Sequence, residues 1–390
     1  MLDWARDALW DRAAVPALRA LGGASRTGRA LGQRQTRILV LSYEEQLGTA
    51  VVATPLFRAL RQALPDAEID VAATPLSAAV LAHSPLVDRI LVTPHPRNRP
   101  LAALGRLRRQ AGGPYDWLLT TLSARCRSVG MLALAVPAER RGGHGVAGTL
   151  RHFDAPVAFD LAASMIENNL RVAAVLGGPA AGIEPAVHAD AAAAERMRHL
   201  LAEGGVEPAR PRAVLVAQTS GTQTKDWYPD RMARVVDLLA ERHGARAIFV
   251  GTAEGESATE AVRRLAASPT VSLVGRTSVA ELAALFAMSD VVVALDTGAM
   301  HVARAVGVPT VVIASAFEPQ HPWLPLDVPS CTVIGRPSIA CSPCYQSFCA
   351  HRACLADISA DEVAAAADAL LARFPPSAEA RAARLARCIA

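Results

Sequence analysis

The chain has 390 residues, too many for one ordinary hydrophobic core, so we expect two domains. Hydrophobic residues make up 52% and charged residues 19%, which is typical of a soluble globular protein. The net charge of +4 is too small to indicate a nucleic-acid partner, and the absence of a long apolar run excludes a predicted membrane span.

The first 36 residues precede the regular pattern of the chain. Residues 1–23 carry apolar side chains at helical spacing, broken near Pro16, and a linker rich in Gly and Arg follows. One interpretation is a helix that packs on the adjacent domain or frays. The other is an amphipathic segment on a membrane surface, with Trp4, Leu9 and Trp10 as its apolar contacts.

From Arg37 onward, short apolar strands alternate with helices. The predicted strands are RILVL, EIDVAAT, RILVT and YDWLLTT, and the predicted helices are AVVATPLFRALRQAL, PLSAAVLAHS, a basic helix at 101–110, SARCRSVGMLALAV and LAASMIENNLRVAAVLG. This alternation predicts a parallel sheet covered by helices on both faces. The segment GGPAAGIEP then predicts a linker.

The same pattern returns after the linker. The strands RAVLVAQ, ARAIFVGT, VSLVG, DVVVAL and PTVVIAS are accompanied by the helices PDRMARVVDLLAERHG, SVAELAALFAMS and SADEVAAAADALLARF. Ser278 and Glu281 form a predicted capping box. We therefore predict two doubly wound α/β domains, 37–180 and 181–375, followed by a tail helix at 376–390.

A ligand of such domains binds in the crevice outside the carboxyl ends of the strands, here expected between the domains. The strand DVVVAL ends in Asp296 and Thr297, and a helix begins near Gly298. Backbone N–H groups and the helix dipole at that point favour an anion. Thr297 and His301 are four residues apart and share one helix face. The alternative is an ordinary N-cap with an unrelated histidine.

Two further loops follow predicted strands of the second half. The loop AQTSGTQTKDWYP holds several hydroxyl residues, among them Thr219 and Ser220, together with Lys225. This composition suits a diphosphate, although a solvated loop with a chance lysine is the alternative. The loop FVGTAEGES, with Gly251 and Glu256, resembles a glycine-rich loop at the edge of a nucleotide.

In the first half, the loop LSYEEQLGT follows the first strand. Gly48 and Thr49 lie where the next helix begins, and Glu44 and Glu45 lie at the tip of the strand. These carboxylates are either a catalytic base or a solvated pair.

At these residues the sequence resembles glycosyltransferase family 9, the ADP-heptose:lipopolysaccharide heptosyltransferases. The stretch ALDTGAMHVARAVGVPTVVI resembles the family's Asp-Thr-Gly-x-x-His signature, and TKDWYPDRMARVVDLL resembles its segment with a donor-contacting lysine. LGTAVVATPLFRALRQALPDAEI resembles its N-terminal helix signature, and CSPCYQSFCAHRACLADISADEV its cysteine-bearing segment. Together these stretches span most of residues 37–375.

The resemblance implies a GT-B fold, in which two Rossmann-like domains face a central cleft and the second binds the donor. It implies inverting transfer with no cofactor required for catalysis. Lys225 would contact a donor phosphate, and Asp296 would hold the ribose side or orient the loop. The donor-binding residues that the resemblance implies are Thr219, Ser220, Lys225, Gly251, Glu256, Thr277, Asp296, Thr297, Gly298, Met300 and His301.

One position departs from the family. Members usually carry Gly-Asp at the start of the first helix, and that aspartate is the expected general base. Here the pair is Gly48-Thr49, and a threonine hydroxyl cannot take a proton at neutral pH. We expect a neighbouring carboxylate to replace the aspartate, with Glu45 preferred over Glu44.

Cys341, Cys344, Cys349 and Cys354 follow a C-x2-C-x4-C-x4-C pattern within residues 341–354. Four thiolates in one short loop can form a tetrahedral metal site, so we predict a structural zinc or iron ion. The resemblance permits iron, because some heptosyltransferases that act on autotransporter proteins have an iron-binding cysteine cluster. The alternative is four reduced or partly disulfide-bonded cysteines.

The expected reaction is transfer of a heptose from an ADP-sugar to a lipopolysaccharide-core or other glycan, lipid-linked or protein-linked. The expected location is cytoplasmic, with a possible site on the inner membrane surface. Three alternatives are a heptosyltransferase acting on a protein, a nucleotide-sugar-binding protein inactive because of Thr49, and a nucleotide-sugar epimerase.

Overall fold

Each half of the chain folds around a parallel six-stranded sheet. The computed structural model describes residues 15–22, 35–219 and 223–389. The chain divides into two units, residues 1–185 and 186–390. The predicted N-terminal segment lies largely outside the described residues. Its described part, α1 (Val15–Gly22), packs against a helix of the first unit.

The first sheet has the strand order β3-β2-β1-β4-β5-β6. Its strands are β1 (Arg37–Ser42), β2 (Glu68–Ala73), β3 (Arg89–Val92), β4 (Tyr115–Thr120), β5 (Ala138–Gly143) and β6 (Ala155–Pro156). After α1, the helices of this unit are α2 (Leu47–Val52), α3 (Pro55–Ala63), α4 (Pro75–Leu81), α5 (Pro100–Ala111), α6 (Arg127–Ala135), α7 (Ala147–Leu150) and α8 (Met165–Ala174). Strand β1 is central and buried from Ile38 onward, which explains its unbroken apolar sequence.

The second sheet has the order β12-β11-β10-β7-β8-β9. Its strands are β7 (Arg212–Val216), β8 (Arg246–Phe249), β9 (Thr270–Ser272), β10 (Val291–Leu295), β11 (Thr310–Ala314) and β12 (Cys331–Gly335). Its helices are α9 (Ala191–Glu203), α10 (Pro229–His243), α11 (Glu256–Leu265), α12 (Val279–Ala287), α13 (Gly298–Val306), α14 (Ala353–Ala356), α15 (Ala360–Arg373) and α16 (Ala378–Ile389).

Both sheets therefore have the 3-2-1-4-5-6 strand order of the Rossmann fold. The order reverses between β1 and β4 in the first sheet and between β7 and β10 in the second. In this fold, ligands bind at the carboxyl ends of the two strands that flank the reversal. The topology thus selects the loops after β1, β4, β7 and β10 as the places to look for chemistry.

The structure differs from the sequence-based expectation in several elements. The first predicted helix is divided into α2 and α3, because Pro55 has no N–H to continue the first of them. Strand β5 was missed because its sequence, AERRGG, is charged and glycine-rich. Its Arg141 is nevertheless buried, since the guanidinium donates hydrogen bonds to the carbonyls of Ala133, Val136 and Ala138. The predicted capping box of Ser278 and Glu281 is confirmed.

The C-terminal helix α16 is fixed to the second unit by a buried ion pair. The guanidinium of Arg381 contacts both carboxylate oxygens of Asp290, at 3.0 and 2.8 Å. The same carboxylate accepts a hydrogen bond from the backbone N–H of Arg212, at 2.9 Å. Both charged side chains of the pair are buried. Because Asp290 directly precedes β10, the ion pair connects α16 to the strand that carries Asp296 at its other end.

We predict that Arg381→Ala will lower the free energy of unfolding by about 3–5 kcal/mol, because it removes the guanidinium that contacts both oxygens of the buried Asp290 carboxylate. Chemical denaturation followed by circular dichroism measures this change. Arg387→Ala on the same helix removes an exposed guanidinium and should change stability by no more than about 0.5 kcal/mol. Equal losses in the two variants would contradict the prediction.

Candidate functional site

The candidate site in the second unit lies at the carboxyl ends of β7 and β10. Lys225 closes a short 3-10 turn after β7, and Asp296 directly follows β10. The Nζ atom of Lys225 is 2.9 Å from Oδ2 of Asp296. This contact joins the two loops on either side of the point where the strand order reverses.

A third loop takes part through a residue that the sequence analysis did not select. Glu318 follows β11, and its Oε1 lies 2.6 Å from Nζ of Lys225. The ring of Phe317 lies 5.0 Å from the same ammonium group, within the range of a cation–π interaction. Burial alone would lower the pKa of Lys225, but the charges of Asp296 and Glu318 raise it above its usual value. Lys225 is therefore a charged and firmly positioned lysine.

The turn before α13 leaves two buried polar atoms unpaired. Thr297 occupies the N-cap position with an extended backbone, yet its side chain makes no capping hydrogen bond. Its Oγ1 and the Nδ1 of His301 are buried and find no partner in the part of the chain that the structure describes. An unsatisfied buried polar group costs about 1–3 kcal/mol, so a pair of them calls for an explanation. A ligand at this helix end would supply the missing partners.

His301 is neutral at physiological pH. Its side chain is 4% exposed, and its ring meets Trp323 edge to face, with 6.5 Å between ring centroids. Burial lowers the pKa of His301 to about 4, although the Asp296 carboxylate acts in the opposite direction. Neutral imidazole carries one N–H donor and one acceptor, so His301 can hydrogen-bond a ligand without adding charge.

The other residues predicted to bind the donor differ from one another in their surroundings. Thr219 donates a hydrogen bond from its hydroxyl to Asp226, and Ser220 lies outside the described residues. Glu256 begins α11, and Thr277 is half-buried in the loop before α12. Met300 is fully buried, so only its backbone is left to contact a ligand.

A close neighbour, Gln218, accounts for the glycine at position 251. A Cβ atom at this position would lie 2.3 Å from Oε1 of Gln218, and one at Gly255 only 1.4 Å from the same atom. The side chain of Gln218 is fixed there by a 2.9 Å hydrogen bond to Oγ1 of Thr252. Both glycines therefore make room for the loop after β7 to pack on the loop after β8.

In the first unit, Glu44 lies at the corresponding reversal point. The hydroxyl of Thr121, which follows β4, donates to Oε1 of Glu44 over 2.6 Å. The Glu44 side chain is buried beside Ser77, whose Oγ accepts from the backbone N–H of Glu44. Burial raises the pKa of the Glu44 carboxyl to about 7, against the opposing effect of the hydrogen bonds from Thr121 and Ser123. A carboxyl with a pKa near 7 is well suited to exchange protons.

Glu45 and Thr49 have different surroundings from Glu44. Glu45 is exposed and pairs with Arg97 over 3.0 Å, as a surface residue would. Thr49 lies in the first turn of α2 and donates its hydroxyl hydrogen to the carbonyl of Gln46 over 2.7 Å. The two glutamates could not be distinguished from the sequence, because burial of a loop residue depends on what packs over it.

The predicted metal site at the four cysteines is not formed. Cys341 is exposed, whereas Cys354 is part of the hydrophobic core of the second unit. Across residues 15–22, 35–219 and 223–389, no group of three or more His, Cys, Asp or Glu side chains is arranged to hold a metal ion. The spacing predicted that the four cysteine thiols would meet at one metal ion. Instead, the start of α14 places Cys354 in the hydrophobic core.

The backbone of the cysteine-rich segment contacts the loops on both sides of Lys225. The hydroxyl of Thr224 donates to the carbonyl of Gln346 over 2.7 Å, and Gln223 accepts from the N–H of Cys349. The N–H of Tyr345 donates to the carbonyl of Phe317 over 2.8 Å. The segment therefore braces the lysine site through its backbone rather than through its thiols.

Two parallel sheets in Rossmann order, each covered by helices, are the domains of a GT-B glycosyltransferase. The sequence profile of glycosyltransferase family 9 (heptosyltransferase) matches residues 128–353. The chain belongs to this family and is a glycosyltransferase, which confirms the resemblance found in the sequence. No curated protein sequence matches the chain.

Solved structures of the same fold cover most of the chain. A family 9 glycosyltransferase from Veillonella parvula DSM 2008 has a TM-score of 0.79 at 19% identity, covering 88% of this chain and 100% of the other. The E. coli ADP-heptose lps heptosyltransferase II has a TM-score of 0.68 at 19% identity, covering 87% and 99%. The iron-containing dodecameric glycosyltransferase TibC from enterotoxigenic E. coli H10407 has a TM-score of 0.54 at 13% identity, covering 87% and 77%.

We predict that wild-type stability will fall as the pH drops from about 6.5 to about 4 in part because of His301. Its pKa is about 4 in the folded state and 6.5 in the unfolded state, so the unfolded state binds the proton first. His301→Gln removes this contribution and should flatten the dependence by at most roughly 1.4 kcal/mol per pH unit. Urea unfolding of both proteins between pH 4 and 7 tests this; parallel curves would contradict it.

Proposed function

We propose that this protein is an inverting glycosyltransferase that transfers a heptose, or a related sugar, from an ADP-sugar to a glycan of the lipopolysaccharide core. The family supports transfer of this kind. Two similar structures support the donor: the E. coli heptosyltransferase II is named for ADP-heptose, and the E. coli heptosyltransferase WaaC was solved with ADP. Within this chain, the observation that carries the proposal is the pair of unpartnered buried atoms, Thr297 Oγ1 and His301 Nδ1.

In this proposal the donor diphosphate binds at the amino end of α13. The backbone N–H groups after Gly298 donate to phosphate oxygens, and the helix dipole favours their charge. The Thr297 hydroxyl and the neutral His301 ring add hydrogen bonds. Since nearby Lys225 already pairs with two carboxylates, phosphate binding would replace part of an existing ion pair. After that exchange, the ammonium group of Lys225 would interact with the negative charge of the leaving diphosphate.

The proposed chemical step is a single displacement. Ionised Glu44 takes the proton of an acceptor hydroxyl, and the acceptor oxygen attacks the anomeric carbon from the face opposite the diphosphate. The new C–O bond forms as the bond to the diphosphate breaks, and the electron pair of that bond leaves with the diphosphate. Lys225, His301 and the α13 terminus stabilise the departing charge, a preorganised electrostatic contribution. The configuration at the anomeric carbon is inverted.

Glu44 takes the role that the family's aspartate has in relatives. It differs from Glu45 in being buried and hydrogen-bonded by Thr121, with a pKa near 7. Such a carboxyl is ionised in a large fraction of molecules at neutral pH and is a stronger base than an exposed glutamate. This favours an active enzyme over a protein that only binds the nucleotide sugar.

We expect the acceptor to be a lipid-linked glycan, which places the enzyme at the inner surface of the cytoplasmic membrane. No helix among the described residues is long and apolar enough to cross a membrane.

Donor binding is tested with Thr297→Ala and His301→Ala. Each change removes a hydrogen bond to a charged ligand, worth about 1.5–3 kcal/mol, so the Kd for ADP should rise roughly 10- to 100-fold. Isothermal titration calorimetry with ADP measures this. His199→Ala, at an exposed position on α9, should leave the Kd unchanged. If both site variants bind ADP as tightly as the wild type, the diphosphate is not held at α13.

The base assignment is tested with Glu44→Gln and Glu45→Gln. Loss of a general base lowers the rate roughly 10²–10⁴-fold, so Glu44→Gln should lose most of its kcat while Glu45→Gln keeps it. Turnover is measured with ADP-heptose and a lipopolysaccharide-core acceptor by the release of ADP. Wild-type kcat/KM should fall as the pH drops below about 7, because Glu44 becomes protonated. Full activity in Glu44→Gln, or a greater loss in Glu45→Gln, would refute the assignment.

A further inference from the structure

Helix α5 and the loop before it form a strongly basic segment of the first unit. Residues 94–113 contain five arginines and no Asp or Glu. Arg97 pairs with Glu45, and Arg108 donates to the carbonyl of Ala135. The guanidiniums of Arg99, Arg106 and Arg109 are exposed and form no ion pair within the described residues.

The same surface carries unprotected apolar side chains. Helix α5 buries Ala103, Leu107 and Ala111, which are spaced four residues apart. Its other side presents Leu101, which is 83% exposed, and Ala102 to solvent. Next to Leu101, a groove of about 420 Å³ runs between α5 and the end of β3, where Val92 and Pro94 add apolar walls. An apolar groove rimmed by polar or charged side chains is typical of a surface that binds a partner or a membrane.

The exposed arginines and the apolar groove together indicate what kind of partner this surface fits. An apolar groove bordered by three exposed arginines complements a surface that has both hydrocarbon and negative charge. A bilayer with anionic phospholipids has both, with phosphates at the surface and acyl chains beneath them. An acidic soluble ligand would use the arginines but leave Leu101 and Val92 in water.

We propose that the surface formed by α5 and the end of β3 docks this protein on a bilayer that contains anionic phospholipid. Leu101 enters the acyl region, the groove beside it receives lipid, and Arg99, Arg106 and Arg109 pair with lipid phosphates. The docking surface is continuous with the Glu44 loop: the hydroxyl of Thr93, which lines the groove, is 2.6 Å from the hydroxyl of Tyr43. Docking there would hold the Glu44 loop close to the membrane surface.

The test is co-sedimentation of the full chain with vesicles of phosphatidylcholine alone and of phosphatidylcholine mixed with phosphatidylglycerol. Binding should occur to the anionic vesicles only and weaken with added salt. The double variant Arg99→Glu/Arg106→Glu should bind at least about tenfold more weakly, because each arginine near an anionic surface contributes appreciably to binding. Leu101→Ser should weaken binding by a smaller factor.

Matched controls separate this surface from general effects of charge and hydrophobicity. Arg198→Glu/Arg264→Glu makes the same change in net charge at exposed positions on α9 and α11. Leu161→Ser removes a leucine that is also 83% exposed. Both controls should bind like the wild type, and unchanged thermal melting in every variant shows that folding is intact.

Three results would overturn the proposal: no binding to anionic vesicles, equal losses in the site and control variants, or full binding by the α5 variants. The last would place the membrane contact elsewhere, for example in the first residues of the chain. The inference does not depend on the proposed donor site or base, since ADP binding and vesicle binding are measured separately.

Discussion

The ammonium group of Lys225 is the contact on which the candidate site of the second unit depends. It lies between the carboxylates of Asp296 and Glu318, so one cation joins the loops that follow β7, β10 and β11. Without the ammonium group of Lys225, the carboxylates of Asp296 and Glu318 would repel each other. The cysteine-rich segment packs over the same loops through backbone hydrogen bonds, which limits the movement of Lys225 further.

The start of α13 holds both the unpaired buried polar atoms and the proposed donor site. The strand order reverses between β7 and β10, and the amino end of α13 lies at this point, where Asp296, Thr297 and Gly298 are half-buried. Among the described residues, Thr297 Oγ1 and His301 Nδ1 are buried without a hydrogen-bond partner, which lowers stability in the free protein. A diphosphate that binds there would form hydrogen bonds with those atoms. The stability that the free protein lacks for want of these hydrogen bonds would then contribute to binding. Many binding sites are less stable than their surroundings for this reason.

The first unit repeats the topology with a different result. At its reversal point, the loops after β1 and β4 enclose a carboxyl, and no Lys or Arg in the described part of the chain forms an ion pair with Glu44. Burial therefore dominates and moves the pKa of Glu44 to about 7, whereas Lys225 remains charged in its own buried position because two carboxylates face it. Two domains of one topology thus differ at their reversal points: one holds a buried carboxyl with a raised pKa and the other a buried, charged lysine.

The sequence by itself determined the fold class, the Rossmann-type alternation and the family, because apolar periodicity and short motifs are local in the chain. It did not show that Glu44 is buried while Glu45 is exposed, that Glu318 pairs with Lys225, or that Cys354 enters the core and leaves the predicted metal site unformed. Those outcomes depend on contacts between residues many positions apart. Charge, burial and convergence are properties of the assembled loops, so only the tertiary structure decided them.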